Sequence, residues 1–231
     1  MDIVPPYPKY PFFRGSSDFF CAATLADLSI LAYSNPSFIK DVLSNTKFNF
    51  LAFVNVGNTQ AIVVENRGYI GVAFRGTESF DLEDWMIDFN VKMVDGMHEG
   101  FLEAAKTVIP EVNELVHGKE TYYTGHSLGA ALATICSIYC LHTISRLVTF
   151  GSPRVGNADF ASEVARITRQ CDRYVHGKDV VPTLPPENMG YRHVGSAIQL
   201  AQRPRPWSNI FVPRKVYDHV PTLYGDPLWG A

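Results

Sequence analysis

The sequence feature that most constrains the fold is the pentapeptide Gly125-His126-Ser127-Leu128-Gly129, which separates two runs of different periodicity. Residues 120–124 before it read as a strand, and the residues from 130 onward read as a helix rich in small side chains. Glycine on both sides of Ser127 lets the backbone turn sharply, because it has no Cβ to clash. The pattern predicts a tight strand-to-helix turn with Ser127 at its tip.

The segments on either side alternate between strand and helix. The predicted elements after the first hundred residues are a helix at 101–116, a strand at 121–124, a helix at 127–141, a strand at 146–150, a helix at 158–170 and a strand at 173–176. This alternation predicts parallel β-α-β units, with helices on the faces of a sheet. Upstream, a helix is expected at 17–33, and three apolar runs between residues 50 and 74 predict a strand meander. The Pro-rich tail after Asp179 is expected to be mostly loop, with one apolar run near residues 194–200.

The size and charge of the chain limit the kinds of protein that it can be. With 231 residues, of which 46% are hydrophobic, the chain is expected to form a single α/β domain over residues 1–231. A net charge of -3 without a basic stripe argues against a nucleic-acid partner. No apolar run approaches the ~18 residues of a membrane span, so no transmembrane segment is expected. The oligomeric state is left open.

Two features bear on the cellular compartment. Residues 1–14 lack the basic-then-apolar order of a signal peptide, so we expect either a cytoplasmic protein or a secreted one whose leader has been removed. Four cysteines are far fewer than a disulfide scaffold needs. We expect Cys21, Cys136, Cys140 and Cys171 to be buried thiols.

Ser127 in such a turn is a candidate nucleophile, although it could simply cap the following helix. A serine hydroxyl needs a base, and the base needs an acid that orients it. Asp179 follows the strand ending at residue 176 and is the preferred acid, the alternative being a surface carboxylate. His219 is the preferred base because it lies in a short loop late in the chain. His193 is the alternative base and is otherwise a structural hydrogen-bond donor.

Several segments resemble the class 3 lipase family, the fungal triacylglycerol lipase type. They occur in family order and cover about two thirds of the chain, and they are Ala73-Phe74-Arg75-Gly76-Thr77, Asp84-Trp85, Glu99-Gly100-Phe101, the Ser127 pentapeptide, residues 149–157, Asp179-Val180-Val181-Pro182, Leu184-Pro185-Pro186 and Asp218-His219. The resemblance implies an α/β-hydrolase fold with Ser127, Asp179 and His219 as a catalytic triad. It also implies an oxyanion hole made by Thr77 and the backbone N–H of Leu128. Without the family, Thr77 would read as a turn-capping residue.

The resemblance further implies a short helical lid after the strand that precedes Thr77. Residues 80–91 have the spacing of an amphipathic helix, with Leu82, Trp85, Met86 and Phe89 on one face. In a lid this face would cover the site in water and bind lipid when open. The alternative is a surface helix that packs on the core.

The implied function is that of a serine carboxylic ester hydrolase, a lipase that cleaves acylglycerol esters, with its ester or lipid substrate bound at a lipid–water interface. An esterase on other esters, such as feruloyl or phospholipid acyl esters, and a non-catalytic binding module are the alternatives. No cofactor is expected, because phosphate-loop and dinucleotide motifs are absent. No metal is expected either, since His98-Glu99 lacks the second histidine of a zinc motif, position 102 being Leu.

Overall fold

The computed structural model describes residues 12–13, 20–76, 91–140, 145–201 and 214–228. Thr77 and the predicted lid residues Leu82, Trp85, Met86 and Phe89 lie outside these ranges. Within the ranges, no helix combines the length and the apolar character needed to cross a bilayer.

The helices alternate with strands as the sequence pattern predicts. The described helices are α1 (Ala22–Leu31), α2 (Pro36–Ser44), α3 (Glu99–Val116), α4 (Leu128–Tyr139), α5 (Ala158–Ile167), α6 (Arg214–Tyr217) and α7 (Thr222–Leu228), with short 3-10 turns at Val181–Thr183 and Glu187–Met189. Two of these helices begin at an asparagine cap. Asn35 Oδ1 accepts from the backbone N–H of Phe38 at 2.9 Å, and Asn157 Oδ1 accepts from that of Phe160 at 2.9 Å. Each cap satisfies a helix N–H that would otherwise lack a partner.

The strands within the described ranges form one large sheet and one small hairpin. They are β1 (Asn49–Val56), β2 (Thr59–Asn66), β3 (Tyr69–Phe74), β4 (Met93–Val94), β5 (Met97–His98), β6 (Thr121–His126), β7 (Ser145–Phe150), β8 (Gln170–His176) and β9 (Ser196–Leu200). The seven-stranded sheet has the order β1-β2-β3-β6-β7-β8-β9. The predicted meander β1-β2-β3 is antiparallel, and every later pair in this sheet is parallel. The carboxyl ends of β6, β7 and β8 therefore meet at one edge.

Helices cover both faces of the sheet and bury a core on each. Side chains of α3, α4 and α5 pack on one face, together with Ala61 and Val63 of β2. Side chains of α1, α2 and α7 pack on the other face, together with Ile62 and Val64. Successive β2 residues thus enter opposite cores, because side chains alternate along a strand. This is the mostly parallel, helix-flanked sheet that the sequence predicts.

The boundary between α5 and β8 lies earlier than the sequence predicts. The helix was expected to reach residue 170, but it ends at Ile167, and β8 begins at Gln170 rather than at residue 173. Thr168 ends the helix, with an extended backbone and its Oγ1 donating to the carbonyl of Val164 at 2.7 Å. Gln170 then pairs with Arg146 of β7, a contact that local periodicity does not reveal.

The chain after Asp179 holds more regular structure than the expected loop. It contributes β9 and the helices α6 and α7. Gly225 and Pro227 lie within α7 and weaken its local helix signal. The helix is held instead by packing, since Tyr224 is only 1% exposed and joins the core beneath α1.

The four cysteines are free thiols, as expected, but they are not all buried. Cys136 and Cys140 of the α4 segment are buried, whereas Cys21 and Cys171 are partly exposed. Cys21 immediately precedes α1, and Cys171 is the second residue of β8. The expectation of burial is therefore wrong for these two.

Candidate active site

Ser127 lies at the junction of β6 and α4 in a backbone conformation that is rare for a residue with a side chain. Its φ is 59° and its ψ is -127°, and its N–H donates to the carbonyl of Phe150 at 3.0 Å. The flanking glycines permit this turn. A Cβ on Gly125 would lie 2.3 Å from the carbonyl of Gly129, and one on Gly129 would lie 2.2 Å from the carbonyl oxygen of Phe74. Conformations of this kind persist only where the surrounding structure holds them, and they cluster at functional sites.

The surroundings of Ser127 include a backbone donor and a second strand end. Leu128 is the first residue of α4, where helix N–H groups have no partner within the helix. The end of β3 approaches from the side, because a Cβ on Gly76 would lie 3.3 Å from the Cβ of Ser127. Thr77, which follows Gly76, is outside the described residues.

Asp179 and His219 are brought together from two segments of the tail. Asp179 follows the carboxyl end of β8, and His219 lies between α6 and α7. The Nδ1 of His219 donates to Oδ2 of Asp179 at 2.7 Å. The other carboxylate oxygen, Oδ1, accepts from the backbone N–H of Val181 at 2.8 Å. Both side chains are buried, so their attraction is only weakly screened by solvent.

The end of β7 joins this pair to Ser127. The carbonyl of Phe150 accepts from the N–H of Ser127. The next residue, Gly151, lies beside the Asp179–His219 pair. A Cβ on Gly151 would lie 2.9 Å from Oδ2 of Asp179 and 3.2 Å from Cε1 of His219. Ser127 and the Asp179–His219 pair therefore lie at the same carboxyl edge of the sheet.

The Nε2 of His219 is buried and has no hydrogen-bond partner within the described part of the chain. It is the ring nitrogen that points away from Asp179, because Nδ1 makes that bond. Such a nitrogen can take a proton from a hydroxyl that comes within reach. In sites of this class the bond between nucleophile and base is often formed only when substrate is present.

His126, the neighbour of Ser127, also faces the pair. Its ring centroid lies 4.4 Å from that of His219, and its Nδ1 shares a hydrogen bond of 3.0 Å with the hydroxyl of Tyr33. Burial lowers the pKa of His126 well below its ordinary value, and the charge on His219 lowers it further. His126 is therefore neutral at pH 7.

Asp218 connects the loop that carries Asp179 with the loop that carries His219. Its Oδ2 accepts from the backbone N–H of Lys178 at 2.8 Å, and its carbonyl accepts from Nδ1 of His176 at 3.2 Å. Asp218 is fully buried. These bonds hold the residue before Asp179 and the end of β8 against the residue before His219.

Tyr224 is a site residue that sequence reasoning missed. Its hydroxyl donates to Oδ2 of Asp179, the oxygen that also accepts from His219. Burial raises the pKa of Tyr224 well above its ordinary value, with the charge of Asp179 as the next cause. The only sequence signal is its position, five residues after His219.

His193, the alternative base, lies in a different environment. Its Nε2 donates to the carbonyl of Pro182 at 2.7 Å. Burial is the main cause that lowers the pKa of His193 to about 3, and the positive charge of Arg173 contributes. His193 is thus a structural hydrogen-bond donor, the role the sequence suggested for it if His219 is the base.

Two other features of the described part of the chain bear on where chemistry could take place. No group of three or more His, Cys, Asp and Glu side chains is placed there to hold a metal ion. A cavity of about 580 Å³ lies at the far end of α4, lined in part by Tyr139, Asn157 and Glu163. It contains neither Ser127 nor the Asp179–His219 pair, so the chemistry lies elsewhere.

Solved structures and curated proteins resemble this chain. The Rhizomucor miehei triacylglyceride lipase superposes with a TM-score of 0.67 at 24% identity, covering 85% of this chain and 91% of that one. This likeness confirms the α/β-hydrolase fold. Among curated proteins, a secreted mono- and diacylglycerol lipase of Fusarium solani is 37% identical over 164 residues, which is 64% of this chain and 46% of the relative. A lipase of Rhizopus niveus is 34% identical over 165 residues, which is 63% of this chain and 42% of the relative.

The matched part of the chain thus spans less than half the length of these curated relatives. The family described as "Lipase (class 3)" matches residues 71–189. That range begins in β3, includes the Ser127 turn and Asp179, and ends before His219 and Tyr224. Because it covers more than half of the sequence and contains the strand-to-helix turn around Ser127, the chain belongs to the class 3 lipase family.

Proposed function

We propose that this chain is a serine carboxylic ester hydrolase, with Ser127 as nucleophile, His219 as base and Asp179 as the acid that orients the base. One observation carries the proposal: the 2.7 Å hydrogen bond between His219 and Asp179, at the sheet edge where the strained turn presents Ser127. A structural serine needs neither a strained backbone nor a buried acid–base pair beside it. The combination supports nucleophilic catalysis.

The reaction would proceed in two halves. His219 Nε2 takes the proton of the Ser127 hydroxyl while Oγ attacks the ester carbonyl, and Asp179 stabilises the imidazolium. The tetrahedral intermediate collapses, the alcohol leaves with the proton from His219, and an acyl-enzyme remains. Water then attacks the acyl carbon, again giving its proton to His219, and the carboxylic acid leaves as Ser127 regains its hydrogen.

The oxygen that becomes negative during each attack needs preorganised donors. The N–H of Leu128 is suited to this role because it lies at the N-terminus of α4, directly after the nucleophile. Thr77 is proposed as the second donor on sequence grounds, and it follows Gly76, which lies next to Ser127. Removing one such donor typically costs about 10²–10³ in rate.

The proposed substrate is an acylglycerol presented at a lipid–water interface. The names of the Fusarium solani and Rhizomucor miehei relatives, which refer to acylglycerols, support this choice. Ser127 is only 1% exposed, so a bulky substrate requires the site to open. The apolar face formed by Leu82, Trp85, Met86 and Phe89 is proposed as the covering lid, on sequence grounds alone.

Two broader proposals accompany this activity. Residues 1–231 are proposed to form one domain, and both cores support this because each contains side chains from distant parts of the chain. Of the two compartments left open by the sequence, secretion is supported by the name of the Fusarium solani relative.

The decisive experiment is an ester panel with a nucleophile control. Purified protein would be assayed on p-nitrophenyl esters from acetate to palmitate and on emulsified mono-, di- and triacylglycerols, beside Ser127→Ala. We expect wild type to be active and the variant to fall by about 10⁴-fold or more, as when a triad nucleophile is lost. Turnover that survives in Ser127→Ala would overturn the assignment of the nucleophile.

The same panel separates the remaining alternatives. Activity that rises when the substrate forms an emulsion supports a lipase that works at an interface. Preference for feruloyl or phospholipid acyl esters, added as further substrates, would replace the acylglycerol proposal while keeping the mechanism. A folded wild-type protein that turns over no ester in either form would be a non-catalytic binding module.

A further inference from the structure

Tyr224 donates a hydrogen bond to the acid of the proposed triad from outside the triad. It lies in α7, is 1% exposed, and its hydroxyl donates to Oδ2 of Asp179. His219 Nδ1 donates to the same oxygen at 2.7 Å. Two donors, one from α7 and one from the turn before it, therefore share one carboxylate oxygen.

We propose that Tyr224 is a positioning residue of the hydrolytic reaction, which fixes the Asp179 carboxylate and limits the negative charge that Asp179 presents to His219. This inference rests on the proposed function of the Ser127 site. It assigns Tyr224 no contact with substrate. Its action passes entirely through Asp179.

The geometry explains how the carboxylate is held. The N–H of Val181 binds Oδ1 at 2.8 Å, so each oxygen has its own donors and the group cannot rotate without breaking a bond. Tyr224 itself is fixed by its ring, which lies 6.2 Å from that of Phe150 and 5.4 Å from that of His126, centroid to centroid. The hydroxyl remains protonated because burial raises the pKa of Tyr224 well above its ordinary value.

The direction of the effect follows from hydrogen bonding to the charged form. A donor on a carboxylate oxygen draws charge towards itself and lowers the basicity of the carboxylate. Without the hydroxyl, Asp179 stabilises the imidazolium of His219 more strongly. A base that is protonated at higher pH requires a higher pH to work, and the acidic limb of the rate profile moves upward.

Other ionisable groups also face this pair and Tyr224. They are His126 on β6, Arg173 and His176 on β8, and Asp218 beside His219. His126 remains neutral because burial holds its pKa well below the ordinary value. All four are retained when only the hydroxyl of Tyr224 is removed, so a shift in the profile reports on that hydroxyl.

The test is Tyr224→Phe, with Tyr191→Phe as the matched control. Tyr191 is equally buried, and its hydroxyl donates to the carbonyl of Val91 at 3.0 Å, which is not part of the triad. The readouts are the pH dependence of kcat/KM on a soluble ester and the NMR titration of the His219 ring. For Tyr224→Phe we expect the acidic limb and the His219 titration to move upward by about 0.5 to 1 pH unit. We also expect kcat to fall by about tenfold with KM within twofold, and Tyr191→Phe to change neither profile.

The outcomes distinguish this inference from the proposed function. Coincident profiles and titrations in wild type and Tyr224→Phe would overturn the positioning role, whatever the change in Tm. If wild type turns over no ester, the proposed function fails, while the His219 titration still decides whether Tyr224 acts on it. If Tyr224→Phe does not fold, 3,5-difluorotyrosine placed at residue 224 keeps the shape and strengthens the donor. The His219 titration is then expected to move downward, and an unchanged value would overturn the inference.

Discussion

The ring of His126 packs against the ring of His219, with 4.4 Å between their centroids. His126 is 2% exposed, and burial together with the charge on His219 lowers its pKa. Two cationic rings at this distance would repel strongly where little water is present. His126 therefore remains neutral, and His219 can accept a proton. The neutral state of His126 has a measurable effect on stability.

We expect the free energy of unfolding to fall as the pH drops below about 6.5, the ordinary pKa of histidine. Because the pKa of His126 is depressed in the folded chain, the unfolded chain binds more protons, and stability present above the unfolded pKa is lost below it. His193, with a pKa of about 3, acts in the same direction. Each contributes about 1.4 kcal/mol per pH unit between its two pKa values.

Urea titrations between pH 7.5 and 4.5 measure the slope of the free energy of unfolding against pH. His126→Asn should lower it by about one proton, because this residue then no longer takes up a proton on unfolding. Equal slopes in wild type and His126→Asn would contradict a neutral, buried His126.

The strained turn predicts an inverted order of stability at residue 127. At φ 59° and ψ -127°, glycine is unstrained and alanine is strained. The free energy of unfolding should therefore be about 1 kcal/mol higher for Ser127→Gly than for Ser127→Ala. This order is expected even though glycine makes the unfolded chain more flexible. Thermal and urea unfolding of the two inactive variants make the comparison. If Ser127→Ala is the more stable variant, the turn is not strained.

Gly129 should be intolerant of even one methyl group. Its Cβ would lie 2.2 Å from the carbonyl oxygen of Phe74, which is backbone and cannot move aside. We expect Gly129→Ala to lower the free energy of unfolding by about 3 kcal/mol or more. Gly118→Ala is the control, since Gly118 has φ 75° but nothing within 4 Å of its Cβ position, and it should lose only about 1 kcal/mol. Similar losses for the two variants would contradict a clash at Gly129.

Asp218 should affect catalysis through the loops it connects. Asp218→Ala removes the acceptor for the N–H of Lys178 and should lower kcat by about tenfold, with a loss of about 1–3 kcal/mol in stability. Asp218→Asn keeps an oxygen acceptor and should retain most of both. Steady-state kinetics and Tm of the pair provide the measurement. An Asn variant as impaired as the Ala variant would indicate that the charge of Asp218 matters, rather than its hydrogen bond.

Much of the fold and of the candidate site could be predicted, because local sequence patterns specify them. The glycines around Ser127 specify the turn, and β-α alternation specifies parallel strands whose carboxyl ends meet. Asp179 was predicted from its position after a strand and His219 from its loop, and the structure places them 2.7 Å apart.

Tyr224 could not be predicted, because its role depends on a tertiary contact between α7 and the loop that follows β8. Its helix, α7, contains Gly225 and Pro227, so propensity argues against the element that carries it. Thr77 has a different status. It was identified only through the resemblance to the family, and its position lies outside the described residues.

Gly151 shows that a residue can be required for what it lacks. Gly151 transfers no proton and contacts no substrate in the proposed reaction. Any side chain there would nevertheless occupy the space next to Oδ2 of Asp179 and Cε1 of His219. The carbonyl of its neighbour Phe150 accepts a hydrogen bond from the backbone N–H of residue 127, which every amino acid except proline can donate. In a search for variants with new specificity, Gly151, directly after β7, should be left unmutated even though it carries none of the reacting groups.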